Sequence, residues 1–538
     1  MPKPLFLFVY PEVPDTYWSY KHALSFVGKR ALMPPLGVAT VAAMVPDEYE
    51  CTIVDLNIEK LPTKLIESAT LVLVSAMIVQ AESLQRVIDR CVLAGTPVAA
   101  GGPYITSCRS AIRGVDYAIL GEAEQVFPEF LSDFAAGRAR PVYSCEGRPQ
   151  LSTTPVPRFD LLKLRYYQSV PLQFSRGCPF DCEFCDIVQL FGHRVRTKSP
   201  EQFITELDAV HATGFHGSVF IVDDNFIGNR KAVKELLRAI AAWQMENGRP
   251  YQLSTEASID LASDPELLDL MVAAGFNMVF VGIETPEPES LAAVGKLQNL
   301  RRDVTESVRK IQERGIEVTG GFIIGFDSDT AEIFDLQIDF VQRLAVPTAM
   351  IGLLMALPNT KLYERLEREG RILSEASGNN TNNSALNFRT IMPREVLVEG
   401  YFRVLRTVYS PRQYFERCLA VLKTYPRADK STQLRRPIRL RELSAFFNSV
   451  IRQTLSRYGI RYLSYLLRGL WRRPDLVVGI VTMAVQGNHY FTITRRMLRL
   501  HRSEQKAAAR ERSGRRASVR DRMEQLVTEP ANVDLRSV

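Results

Sequence analysis

Apolar residues along the chain fall into two long series of short strand-like runs separated by helix-period stretches. In the first series Leu5–Tyr10, Cys51–Val54, Leu71–Val74, Val98–Ala100 and Tyr117–Leu120 have strand length and β-branched content. Between them Gly37–Met44, Ala81–Ala94 and Glu124–Ala135 read as helices. That alternation predicts an open parallel sheet, whose ligand crevice lies beyond the carboxyl ends of the strands. Small and polar residues stand at those ends: Asp55, Ser75, Gly101-Gly102-Pro103 and Gly121-Glu122. Glycine there lets a bulky ligand approach the backbone. The same residues also suit ordinary tight turns.

The stiff segment Thr154-Pro155-Val156-Pro157-Arg158 ends this series. A second begins at Leu172–Ser175 and continues through Ser218–Val222, Tyr251–Ser254, Met278–Val281, Glu317–Ile324 and Ala349–Ala356, with helices between them. Six such units predict a parallel (β/α)6 partial barrel with its chemistry at the carboxyl mouth of the strands. Beyond the Asn-rich loop Gly378–Ser384 the chain reads as helical and Arg-rich. From Ser503 it is charged and nearly free of aromatics, which predicts a tail without fixed structure beyond any helix that starts it. The fold class is therefore α/β with a helical C-terminal region. Its expected parts are a Rossmann-like domain over 1–145, a linker over 146–170, the barrel over 171–376, helices over 377–500 and a basic tail over 501–538.

A length of 538 residues agrees with three or four domains, and 46% hydrophobic with 24% charged residues excludes a mostly disordered or fibrous chain. The net charge of +7 is concentrated in two C-terminal stretches, Lys430–Arg473 and Arg495–Glu524, which contribute +10 and +7. The remainder is net acidic, unlike a general nucleic-acid binder. The opening apolar run is too short for a signal peptide, and no 18 consecutive apolar residues predict a membrane span. Eight cysteines in so long a chain suit a cytosolic protein with reduced thiols.

Three of those cysteines sit in Cys178-Pro179-Phe180-Asp181-Cys182-Glu183-Phe184-Cys185, directly after the first strand of the second series. Thiols at this density bind a soft metal or cluster. A structural zinc site closes with four ligands, and the nearest further candidate is His193. Three ligands instead suit a [4Fe–4S] cluster with one iron left open.

The Cys-x3-Cys-x2-Cys spacing, with Phe184 before the last cysteine, resembles the signature of radical S-adenosylmethionine (SAM) enzymes. The resemblance implies that Cys178, Cys182 and Cys185 hold a [4Fe–4S] cluster whose open iron chelates SAM. Later strand ends also resemble that superfamily, in Val222-Asp223-Asp224-Asn225, Thr255-Glu256, Gly282-Ile283-Glu284-Thr285 and Ile324-Gly325-Phe326. Phe184, Asp223, Asp224, Glu256, Gly282, Glu284 and Gly325 are thus expected at the SAM site. Carboxylates at a barrel mouth suit a cationic ligand, although each acid also suits a helix N-terminus. Arg194 and Arg196 are candidates to bind a carboxylate.

A Rossmann-like domain in front of such a barrel is similar to the cobalamin-binding class of these enzymes. That likeness places cobalamin near Ser75, Gly101, Gly102 and Glu122. The Asp-x-His-x-x-Gly motif of many cobalamin proteins is absent, and the first domain's one histidine, His22, lies outside any such pattern. With the Arg-rich helical region added, the chain resembles a subfamily that includes the methylase of hopanoid C-2. The resemblance implies a methyltransferase acting on an unactivated carbon of a lipid-like or secondary-metabolite substrate, with flavodoxin or ferredoxin as reductant. The amphipathic stretch Leu440–Leu470 suits either a peripheral contact with the inner face of the membrane or a helix covering the barrel. Other readings are a cobalamin-type cyclisation, rearrangement or coupling, and a non-enzymatic iron–sulfur or zinc protein. No RNA-binding module accompanies the arginines.

Overall fold

A computed structural model describes residues 3–144, 146–381, 386–427 and 440–528. Part of the Asn-rich loop, the start of the first basic stretch and the last ten residues lie outside them.

The first sheet contains β1 (Leu5–Tyr10), β2 (Glu50–Asp55), β3 (Leu71–Ser75), β4 (Val98–Gly101), β5 (Tyr117–Ile119) and β6 (Val142–Tyr143). Their order is β2-β1-β3-β4-β5-β6, with every pairing parallel. The continuous apolar run of β1 serves two cores at once, because successive side chains point to opposite faces. Phe6 and Phe8 pack with Phe127 and Phe130 on one face, and Leu7 and Val9 pack with Leu84 and Ile88 on the other. Each such side chain, buried from water, contributes about 1.5–3 kcal/mol. The sheet changes its direction of growth at β1, so β1 and β3 part at their carboxyl ends and leave a crevice.

The second sheet contains β7 (Ser169–Leu172), β10 (Ser218–Ile221), β11 (Leu253–Glu256), β12 (Phe276–Glu284), β13 (Glu317–Ile324) and β14 (Ala349–Leu353). It is wholly parallel and in sequence order, a six-stranded partial barrel. Its first strand lies three residues earlier than the sequence pattern predicts. Pro171 is tolerated there because β7 is an edge strand. Phe174 and Ser175 leave the sheet because Asp223 accepts hydrogen bonds from the Phe174 N–H (2.8 Å) and the Ser175 hydroxyl (2.6 Å). The released chain forms an antiparallel ladder between β8 (Ser175–Arg176) and β9 (Arg196–Thr197).

Helices Arg394–Val408, Pro411–Thr424, Leu440–Thr454, Gly459–Arg472 and Val477–Thr528 make up the C-terminal region. Pro411 starts the second of them and the Ser410 hydroxyl caps it. The expected unstructured tail is instead helix as far as Thr528. Its Ala, Glu, Gln, Lys and Arg residues are strong helix formers, and that propensity outweighs the lack of apolar residues. Among the described residues one stretch, Pro474–Ala507, is long and apolar enough to cross a membrane, but 56% of its most apolar window is buried within the protein. Ile480, Met483, Ala484, Tyr490 and Phe491 are core residues. This helix also ties the two ends of the chain together: Tyr17 hydrogen bonds Thr494 at 2.6 Å, Tyr490 bonds Tyr20 at 3.0 Å, and Arg496 pairs with Asp15 at 2.8 Å.

Candidate cofactor-binding site

The cysteine loop leaves β8 at the barrel's mouth and is fastened at several points. Gly177 has φ +98°, and a Cβ there would lie 2.8 Å from the Gly192 and Arg194 carbonyl oxygens, so only glycine fits. Cys178 donates its N–H to Gly192 (3.1 Å), Glu183 to Val294 (2.9 Å), and Glu183 pairs with Arg365 at 2.6 Å. Cys178, Cys182 and Cys185 are free, partly exposed thiols. Burial raises the pKa of all three, that of Cys185 to about 12, while the nearby Lys296 opposes the rise. Among the described residues no three His, Cys, Asp or Glu side chains converge on the volume of a single metal ion. A four-iron cube exceeds that volume, and its ligand sulfurs stand apart. Exposed His193 faces Asp181 at 3.9 Å. Phe184 packs on Phe326, with ring centroids 6.4 Å apart.

A residue without a sequence signal stands beside the thiols. Lys296, its side chain 13% exposed, pairs with Glu284 at 2.7 Å. Burial opposes its charge, but Glu284 and Cys182 outweigh that effect and raise its pKa. Glu284 owes its direction to a bulge in β12: the register with β13 slips between Gly282 and Glu284, and Glu284 takes φ +68°. The Asn299 amide donates to the Gly282 (3.1 Å) and Ile283 (2.9 Å) carbonyls beside the bulge. A Cβ at Gly282 would lie 2.5 Å from the Glu284 carboxylate and 2.8 Å from the Lys296 ammonium, so a side chain there would displace this ion pair.

The other acids divide into two kinds. Asp223 is fully buried and both of its oxygens fasten the Phe174–Ser175 turn, so it positions the loop instead of facing a ligand. Asp224 accepts from the Gly177 N–H at 3.0 Å and reaches the cavity described below. Burial pushes Asp224 up to about 6 and Glu256 up to about 7, and the neighbouring Asp223 and Asp224 add to the rise at Glu256. Glu256 therefore sits where a cation would be stabilised. Gly325 (φ +106°) donates its N–H to Asp329 at 2.8 Å, which fixes the end of β13 and leaves that N–H unavailable to a ligand.

A cavity of about 680 Å³ opens between the carboxyl ends of the first sheet and the β7–β10 edge of the second; Asp224 lines it, whereas the three cysteines, Glu256, Glu284 and Lys296 do not. Ser75, Gly101, Gly102 and Glu122 line it from the first domain, and Gln173, Arg176 and Asp224 from the barrel. Trp18, Ser19 and Lys21 form part of its wall. Gly102 has φ +90°, and a Cβ would lie 2.4 Å from the Ser75 hydroxyl. This glycine-lined cradle fits a large flat cofactor laid against the strand ends. Glu122, expected beside cobalamin, lines this cavity and is also bound within the protein. Its carboxylate accepts from Arg176 (2.7 Å) and Arg196 (2.7 and 3.0 Å), and Arg176 also pairs with Glu124 at 2.7 Å. The carboxylate that Arg196 binds is thus the chain's own, while Arg194 is exposed.

Residues 30–131 match the B12 binding domain, residues 172–340 the radical SAM superfamily, and residues 360–503 a domain of unknown function, DUF4070. The uncharacterized methyltransferase sll1242 of Synechocystis is 43% identical over 76% of this chain and 77% of its own. The hopanoid C-2 methylase of Rhodopseudomonas palustris is 36% identical over 76% of this chain and 78% of its own. Among solved structures, the radical SAM methyltransferase TsrM of Kitasatospora setae with cobalamin and a [4Fe–4S] cluster bound shares the fold. Its TM-score is 0.58 at 16% identity, over 88% of this chain and all of the other. Two cofactor-bearing domains face one cavity, a cysteine loop stands at the barrel mouth, and relatives above 30% identity span three quarters of the sequence: the chain belongs to the cobalamin-binding radical SAM enzymes, in the methyltransferase family that includes the hopanoid C-2 methylase.

Proposed function

We propose that the protein transfers a methyl group to an unactivated carbon of a lipid-like substrate, and that it does so against the inner face of the membrane. The observation that supports this is the largely apolar cavity between the strand ends of the first sheet and the β7–β10 edge of the barrel, beside the cysteine loop that follows β8. When bound, the [4Fe–4S] cluster with SAM supplies a 5′-deoxyadenosyl radical, and cobalamin supplies the methyl carrier. Cys178, Cys182 and Cys185 hold the cluster. Glu256, Glu284 and Lys296 would hold the charged ends of SAM, and Phe184, packed on Phe326, would support the last cysteine. Gly282 keeps the bulge open for Glu284, and Gly325 lets β13 end close to the mouth. Ser75, Gly101 and Gly102 let cobalamin lie on the backbone, while Glu122 holds the first domain against the cysteine loop. A small-molecule substrate and an external reductant complete the reaction. A lipid substrate agrees with the apolar cavity wall of Phe8, Leu73, Met44 and Phe127, and a polycyclic terpenoid agrees with the relative's name.

The test uses anaerobically purified holoenzyme with methyl-labelled SAM, a reductant and a total lipid extract. Label entering the neutral lipid fraction, with both 5′-deoxyadenosine and S-adenosylhomocysteine formed, supports the reading. 5′-Deoxyadenosine without S-adenosylhomocysteine would replace methyl transfer by a cyclisation or coupling. Label confined to water-soluble products would remove the lipid.

A further inference from the structure

The pair of helices Leu440–Thr454 and Gly459–Arg472 has two faces, and both are apolar. The inner face is fixed by specific contacts: Tyr465 donates its hydroxyl to the Ile480 carbonyl at 3.0 Å, Ser449 and Tyr462 bond at 3.1 Å, and Gly469 sits against Ile480. The outer face therefore cannot rotate inward. It carries Leu443, Phe447 and Ile451 four residues apart, then Leu455, and then Ile460, Leu467 and Trp471 along one line of the second helix. Of the twenty large apolar side chains exposed among the described residues, these seven fall within 29 positions. Elsewhere exposure is scattered, as on any soluble surface. Leu455, Ile460 and Trp471 are 84%, 88% and 84% exposed.

Charge selects the occupant. No acidic residue occurs from Leu443 to Arg473, while Arg457, Arg461, Arg468 and Arg472 are exposed beside the apolar line. A second copy of this face would bring arginine against arginine. A bilayer rich in anionic headgroups offers both an apolar layer for the seven side chains and phosphates for the guanidinium groups.

Position adds a reason for such contact. The segment from Trp18 to Phe26 runs from the cavity wall to this helix pair. Trp18, Ser19 and Lys21 line the cavity, Asn448 bonds the Phe26 carbonyl at 3.3 Å, and Arg452 lies over the Phe26 ring at 5.1 Å. We infer that the outer face of these two helices is a docking surface for an anionic bilayer, seated beside the cavity so that an apolar substrate passes from membrane to site. The inference rests on the lipid-substrate reading for its purpose, but the docking is measurable without any substrate.

The experiment is flotation of the full-length holoenzyme with phosphatidylglycerol/phosphatidylcholine vesicles and with phosphatidylcholine vesicles alone. The wild type is expected to float with the anionic vesicles, less so as salt rises. Leu455→Asp with Ile460→Asp should weaken that partition by roughly a hundredfold, the loss of two inserted side chains. Replacing Arg457, Arg461 and Arg468 by Gln should abolish the preference for anionic lipid. Iron and cobalt contents equal to wild type show that the variants fold. Equal flotation of the Asp variant, or no flotation of the wild type, overturns the proposal. Self-association in vesicle-free solution that the Asp variant abolishes would give the face to a second copy instead. With detergent-dispersed lipid the Asp variant should still methylate. Loss of methylation by wild type and variant alike would refute the substrate reading and leave the docking result standing.

Discussion

Glu122→Ala should weaken the joint between the two cofactor domains, even in the protein without cofactors. The Glu122, Arg176 and Arg196 side chains are 5%, 11% and 6% exposed, so solvent screens them little. The variant removes three charge-assisted hydrogen bonds. Arg176 keeps Glu124 and Gln173, but Arg196 is left with only the Pro149 and Phe191 carbonyls. A buried charge that loses its partner costs about 3–5 kcal/mol, and the remaining acceptors put this case near 3. At roughly 2–4 °C per kcal/mol for a unit of 150–250 residues, the first thermal transition should fall by about 6–12 °C. Differential scanning calorimetry of the cofactor-free protein measures this. The double variant Glu122→Ala, Arg196→Met should recover much of the loss, because it buries no unpaired charge. An unchanged transition in the single variant, with weakened cobalamin binding, would refute the strut and return Glu122 to the cofactor.

Replacing any one of Cys178, Cys182 or Cys185 by Ala should abolish SAM cleavage and reduce the iron content; cleavage at the wild-type rate would exclude the cluster. Gly102→Ala should lower the cobalt retained on purification, since a Cβ at φ +90° meets the Ser75 hydroxyl, and full cobalt content would show the cradle to be unnecessary. Glu256 has a folded-state pKa of about 7 against an ordinary 4.5, so the folded chain holds a proton that the unfolded chain has released. Stability of the cofactor-free protein should therefore fall as pH rises from about 4.5 to 7, while affinity for cationic SAM rises over the upper part of that range. Glu256→Gln should lessen both slopes by the share of one proton, the other raised acids such as Asp224 keeping the rest, and wild-type slopes in that variant would remove Glu256 from the site.

What could be read in the sequence was local or periodic. The strand runs, the helix Ala81–Ala94 and the cysteine spacing all lie within short windows, and each shapes the backbone directly. Pairings across 54 and 74 residues, such as Arg176 and Arg196 with Glu122, leave no periodic trace. Lys296 was missed for a related reason: it follows a short helix and meets Glu284 only because of a one-residue bulge. Asp223 looked like a ligand because its setting, an acid after a buried strand, is the same whether the carboxylate faces a cofactor or fastens a turn. The tail erred in the opposite direction, as low hydrophobicity hid strong helix propensity.

The bonds between Tyr17 and Thr494 and between Tyr20 and Tyr490 also set an order of assembly. Trp18, Ser19 and Lys21 belong to the cavity wall, yet the residues that hold this segment are made about 470 positions later. At roughly 5–20 residues per second, a ribosome needs on the order of half a minute to a minute and a half for that distance. The first domain's sheet can form while synthesis continues, but its cavity stays unwalled on one side until the last long helix has emerged. A chain cut short before residue 489 would carry both cofactor motifs but lack the bonds that hold the Trp18–Lys21 part of the wall.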